Sequence, residues 1–268
     1  MKVSLMVQII SWFLICYLLC VVFMYFRQDA FLFFPTSARH ENHNHEGVVD
    51  YHLQQGQVSL RGWLVNPRFL QQKLLIYYGG NAEDVFQNIE EYQSIQAATL
   101  FVAYRGYGPS SGKPGEMAFY ADALAVFDDI FARHAPQKIY LLGRSLGSGV
   151  ACHVAAKRSV AGAILITPYD SIENVAKSHY PWLPVSWLLK HRFSSLDSLP
   201  AVRCPLLVLY AGKDRVVPPP RSENLIRHIQ GEKEVLFLPD ADHGTIDMYP
   251  EYWQAVLAFI HPDSSSEE

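Results

Sequence analysis

Charge is scarce in this chain. Only 18% of its 268 residues are Asp, Glu, Lys or Arg, while half are hydrophobic. That balance excludes a disordered polypeptide, which would be apolar-poor and charge-rich. Basic residues are not in excess: the formal net charge is −4 and the pI about 6.2, so no cationic field points to nucleic acid. Cysteine is sparse too, with four in the whole chain, too few for a disulfide scaffold. Cys16 and Cys20 lie in an N-terminal apolar run. Cys152 and Cys204 are far apart, lack C-x-x-C spacing, and leave both their pairing and any redox role open; a cysteine-built zinc site is not expected. No internal repeat is visible, and the length allows one or two domains.

The longest charge-free stretch is Val3 to Phe26. As a helix, its 24 residues would reach about 36 Å at 1.5 Å per residue, enough to cross a hydrocarbon core about 30 Å thick. Fourteen of them are Leu, Ile, Val or Phe, which favours insertion. A cleaved signal peptide is the competing reading. It is disfavoured because the run exceeds a signal peptide's apolar region and no small-x-small site follows. The expectation is a signal-anchor helix over 3–26, its N-terminus cytoplasmic and the bulk of the protein on the far, periplasmic or lumenal, side. The orienting charges are few, with Lys2 before the span and Arg27 and Asp29 after it. Residues 27–47 read as a juxtamembrane linker. His40, His43 and His45 with Glu41 and Glu46 could bind a metal, but a solvated linker is the commoner role of such a tract. Residues 263–268 read as a disordered acidic tail.

Residues 48–262 alternate strand and helix signals. Apolar or β-branched runs fall at 57–66, 74–78, 99–104, 139–142, 163–167, 206–210 and 235–238, with Val48–Leu53 as a weaker first strand. Helical patterns fall at 84–97, 116–133, 146–158, 220–230 and 250–261. Continuous apolar strands between helices predict a mostly parallel, doubly wound α/β sheet buried on both faces. Residues 170–203 interrupt the alternation, broken by Pro181, Pro184 and Pro200 and rich in apolar residues such as Trp182 and Trp187. A cap beside a substrate site and packing over the sheet end are both open readings.

The chemistry concentrates at Gly143-Arg144-Ser145-Leu146-Gly147, a G-x-S-x-G between a strand and a helix. Such a sharp turn lifts a serine Oγ clear of the sheet end, at a helix N-terminus that favours developing negative charge. A serine nucleophile needs a base, and the base an orienter. In the fold that such an elbow marks, these partners follow in the order Ser, Asp/Glu, His. Asp214 follows the strand LLVLY, and His243 follows the strand VLFL. Both fall on the sheet edge that carries Ser145. Asp240 and Asp242 precede His243 within its own loop. Asp170 reads as a helix N-cap with Glu173 as its capping-box partner, and His153, His179 and His191 as packing or surface histidines. The oxyanion donors expected are the N–H groups of Leu146 and Asn81, with Ala82 as the neighbouring possibility.

With GGNAED, YRGYGPSSGKPGE, GRSLGSG, TPYDSI, HYPWLP, CPLLVLYAGKDRVVP and the final DHG, residues 50–260 resemble the α/β-hydrolase superfamily. The chain is most similar to its single-pass, membrane-anchored branch of bud-emergence-type hydrolases and protein depalmitoylases. Relatives commonly carry His-Gly-Asn-Ala at the oxyanion loop, where Gly79 here replaces the histidine. Many also have an acidic residue where Ala103 stands. Arg105, Gly106 and Gly108 read as a turn buttressing that loop.

The resemblance implies an α/β-hydrolase domain over 48–262 with a short cap insertion and a Ser145–His243–Asp214 triad that needs no cofactor or metal. It would act on a small-molecule or lipid acyl ester or thioester at a membrane, with a rate rising through an apparent pKa of about 6–7. Protein partners are not indicated. A peptidase or amidase of the same fold, and a catalytically silent binding module, are the alternatives.

Overall fold

The computed structural model describes residues 4–37 and 45–262. Lys2, the His40–His43 part of the histidine tract and the acidic tail lie outside the described residues. His45 is described, and its ring packs edge-on against Phe86.

The chain opens with helix α1 (Leu5–Leu32), the one described helix long and apolar enough to cross a membrane. Its surface is apolar all round, with Leu5, Ile10, Phe13 and Phe26 exposed, which suits lipid rather than a protein core. The helix runs six residues beyond Phe26, and the described part of the expected 27–47 linker, through residue 37, packs on the domain at Gln28 and Phe33. Gln28 and Phe33 are buried, and Phe33 meets Phe119, Phe193 and His191 edge-on. The driving force is aromatic burial, which the charged residues around position 28 concealed in the sequence.

Then follow β1 (Val48–Gln55), β2 (Val58–Val65), β3 (Lys73–Tyr78), α2 (Ile89–Gln93), β4 (Ala98–Val102), α3 (Glu116–His134), β5 (Lys138–Arg144) and α4 (Leu146–Ala155). After these come β6 (Gly162–Ile166), α5 (Ile172–His179), α6 (Val185–Leu188), α7 (Ser195–Ser198), β7 (Leu206–Ala211), α8 (Pro219–His228), β8 (Lys233–Leu238) and α9 (Pro250–Ile260). The sheet order is β1-β2-β4-β3-β5-β6-β7-β8. Only the β1/β2 and β2/β4 pairs are antiparallel; the rest are parallel.

Alternate residues of β3 serve opposite faces. Leu74, Ile76 and Tyr78 join a core with α3, α4 and α8, and Leu75 and Tyr77 join one with α2 and α9. Burial on both faces is why these strands read as continuous apolar runs. Residues 170–203 fold into α5, α6 and α7 between β6 and β7, next to the C-terminal part of α1.

Candidate active site

β5 ends at Arg144, α4 begins at Leu146, and Ser145 makes the turn between them with φ 50° and ψ −116°. A non-glycine residue in the left-handed half of the map is costly and persists only where its surroundings impose it. Two glycines make room. A Cβ on Gly143 would run into the carbonyl of Gly147, and one on Gly147 into the carbonyls of Tyr78 and Gly79. The first turn of α4 is thereby pressed against the end of β3.

Asp214 and His243 follow β7 and β8 on the same sheet edge. His243 Nε2 lies 3.0 Å from Ser145 Oγ, and His243 Nδ1 lies 2.7 Å from Asp214 Oδ2. A carboxylate can only accept, so Nδ1 carries the ring proton and Nε2 accepts from the serine hydroxyl. The other Asp214 oxygen accepts the backbone N–H groups of Val216 and Val217, each at 2.8 Å. The Asp214 side chain is 2% exposed and that of His243 19%, so the carboxylate is sealed while the imidazole edge stays reachable.

The oxyanion loop follows β3. The Gly80 N–H is occupied, donating to Glu83 Oε2. Glu83 Oε1 in turn accepts from the Tyr77 hydroxyl at 2.6 Å and from Asn88 Nδ2. The next N–H in that turn is that of Asn81, the expected oxyanion donor, and a Cβ on Gly80 would stand 3.8 Å from Ser145 Cβ. Leu146, the other expected donor, opens α4, where a backbone N–H has no intrahelical acceptor.

The loop's supports come from unexpected places. Tyr104 donates to the Gly79 carbonyl at 3.0 Å and Tyr107 to Asn81 Oδ1 at 2.8 Å. The Asn81 side-chain amide donates to the carbonyl of Leu32, at the end of α1. Arg105 does not buttress this loop; its guanidinium forks onto Asp122 of α3. The buttress belongs to the two tyrosines flanking it.

Arg144 had no role in the sequence reading. Its Nη1 pairs with Asp247 at 2.6 Å, and Nη2 reaches the carbonyls of His243 and Gly244 at 3.5 and 3.4 Å. It fastens the loop that carries His243 to the end of β5 beside Ser145. The adjacency of Arg144 to Ser145 was the available signal; Asp247, 103 positions downstream, gave none.

The other candidates lie apart from this chain of bonds. Asp242 caps its own turn through Gly244 and Thr245, and Asp240 pairs with Lys213. Asp170 is not the N-cap of α5. Ser171 is, accepting from the Asn174 N–H, because the chain enters the helix one residue later. Glu173 pairs with Lys177 and Arg192. Asp170 is fully buried and gathers Ser171 N–H, Asn174, Asn224 and Arg221. His153 stacks on Tyr120 with ring centroids 3.9 Å apart, and burial pushes its pKa down to about 4. His179 meets the Val216 carbonyl, and His191 faces Asp29. All four cysteines are free, and burial pushes the Cys152 and Cys204 thiols up to about 12 and about 11, which keeps both protonated.

Fold and elbow define a class, and comparison with known proteins agrees with it. The serine aminopeptidase S33 family model, Hydrolase_4, matches residues 95–198. An uncharacterized protein of Mycobacterium tuberculosis is 33% identical over 169 residues, covering 61% of this chain and 60% of that protein. Lysophosphatidylserine lipase ABHD12 of Danio rerio is 32% identical over 168 residues, covering 54% of this chain and 44% of that protein. The chain thus spans only about half to three-fifths of the length of these two relatives. Among solved structures, the Pyrococcus furiosus esterase Pf2001 superposes with a TM-score of 0.69 at 17% identity, over 86% of this chain and 98% of that one. These likenesses, with the sheet and the elbow described above, give the chain the α/β-hydrolase fold.

Proposed function

We propose that this protein is a membrane-anchored serine hydrolase that cleaves carboxylic esters or thioesters of lipophilic acyl groups. The observation that carries the reading is the unbroken hydrogen-bond chain Ser145–His243–Asp214 at 3.0 and 2.7 Å. In this mechanism Ser145 Oγ attacks the acyl carbonyl while His243 Nε2 takes its proton. Asp214 holds the ring tautomer and stabilises the imidazolium. The tetrahedral oxyanion is received by the Leu146 and Asn81 N–H groups. Collapse, with His243 returning the proton to the leaving group, gives an acyl-serine. Water activated by the same histidine then releases the acid.

Two features support a lipophilic substrate. An apolar cavity of about 120 Å³ lies between α1 and the 170–203 insertion, lined by Met24, Leu32, Ile172, Leu183, Val185 and Leu188 among others. Leu32 is also the residue whose carbonyl takes the Asn81 amide. The lipase and esterase among the relatives point the same way. In this reading α1 crosses the membrane and the catalytic domain faces the periplasmic or lumenal side, which protease protection of sealed vesicles would test. The S33 family description favours a second reading, a peptidase.

A panel of p-nitrophenyl esters of rising chain length, an acyl-thioester and a peptide p-nitroanilide separates the two. Activity that rises with chain length on the esters supports the proposal; hydrolysis of the anilide alone overturns it.

A further inference from the structure

The insertion carries an apolar ridge that the catalytic mechanism does not use. From Tyr180 to Leu189 the chain reads YPWLPVSWLL, with no charged residue. Trp187 is 89% exposed and Trp182 54%, large rings left in the open on a fold whose other large side chains are mostly buried. The segment lies along α1 and is fixed to it at two heights. Lys190 sits over the Tyr25 ring at 4.6 Å, next to Arg27, where the charge-free stretch ends. Tyr17 donates its hydroxyl to the Trp182 carbonyl at 3.1 Å, and the two rings meet edge-on. Tyr17 is eight residues from Tyr25, about 12 Å along a helix at 1.5 Å per residue. Half a hydrocarbon core is about 15 Å.

We infer that residues 180–189 form a wedge that dips into the outer half of the bilayer beside α1, with lipid hydrocarbon as the surface against Trp182 and Trp187. The inference rests on the reading of α1 as a membrane span. Most of the wedge's backbone N–H groups are paired within the chain, which suits a solvent that supplies no hydrogen bonds. The N–H groups of Tyr180, Leu183, Val185, Trp187, Leu188 and Leu189 donate to carbonyls within residues 176–185, while Pro181 and Pro184 have none to satisfy. The carbonyls of Trp182, Ser186 and Leu188 accept from Tyr17, Arg192 and Gln28. Basic residues stand on both flanks, Lys177 before the wedge and Lys190 and Arg192 after it, where lipid phosphates would lie.

Brominated phosphatidylcholine quenches tryptophan that contacts its acyl chains. The full chain in nanodiscs of that lipid offers Trp12 as a reporter for α1 and Trp182 with Trp187 as reporters for the wedge. Trp63 is buried in the domain, and Trp253 is held there by its indole N–H on the Asp247 carbonyl. The W12F variant is expected to keep bromolipid quenching, and W12F/W182F/W187F to lose it. If W12F loses all quenching while W182F/W187F keeps it, α1 still spans the membrane and the wedge is overturned. If the wild type is not quenched at all, the span and the wedge both fail. A second copy of this chain on the ridge would shield Trp182 and Trp187 and give two chains per nanodisc by native mass spectrometry, which also overturns the proposal.

Discussion

Asn81, whose backbone N–H is the proposed oxyanion donor, gives its side-chain amide to the carbonyl of Leu32, the last residue of α1. Its Oδ1 accepts from the Tyr107 hydroxyl at 2.8 Å. The apolar helix is therefore part of the scaffold that holds the Asn81 loop. The Asn81→Ala variant keeps the backbone donor and loses its alignment. We expect kcat to fall about 10²-fold, the scale on which a 1 Å misplacement acts, with a smaller change in KM. Tyr107→Phe should move the same way by less. Steady-state kinetics on a p-nitrophenyl ester reads both.

Arg144 couples the His243 loop to the end of β5 beside Ser145 through Asp247. Arg144→Leu and Asp247→Asn should each lower kcat by about 10- to 100-fold through a looser His243. Arg144→Lys should not fully rescue, because an ammonium cannot fork onto a carboxylate and two carbonyls together. Equal activity across the three variants and the wild type would remove Arg144 from the account.

Asp170 is a buried carboxylate that joins α5 to α8 through Asn174, Asn224 and Arg221. Replacing it with Ala leaves a cation and two amides unpaired, and breaking such a buried pair costs about 3 kcal/mol or more. Urea unfolding should show a lowered midpoint with an unchanged slope.

His153 gives the stability a pH dependence. Burial, with a smaller contribution from Lys157, lowers its pKa from 6.5 to about 4 in the fold. The unfolded chain therefore binds a proton that the folded chain refuses between those values. The contribution to stability is whole above pH 6.5 and declines as pH falls toward 4. His153→Phe keeps the stacking on Tyr120 and cannot titrate. Its Tm should drop less than the wild type's between about pH 7.5 and about pH 5; an equal drop would place the acid sensitivity elsewhere.

Much of this site was legible in the residues themselves. Strand–G-x-S-x-G–helix, a carboxylate after one later strand and a histidine after the next are local patterns, and each falls where its pattern indicates. The supports were not legible, because they join residues far apart in the chain: Asn81 to Leu32, Arg144 to Asp247, Asp170 to Asn224. Asp170 has the local pattern of a cap, because Asp often is one and Glu173 follows three residues later. Two of the partners that make it a buried hub, Arg221 and Asn224, lie more than fifty residues downstream. The packing of residues 28–36 was hidden by neighbouring charges, and its cause is the aromatic cluster around Phe33, three of whose members lie beyond position 118.

The most direct test of the account is fluorophosphonate labelling of the full chain, read by intact mass and peptide mapping alongside ester hydrolysis. The account predicts a single adduct on the peptide holding Ser145, loss of hydrolysis in step with labelling, and neither label nor activity in Ser145→Ala. A folded wild type that takes no label, or a Ser145→Ala variant that labels and hydrolyses like the wild type, would contradict it.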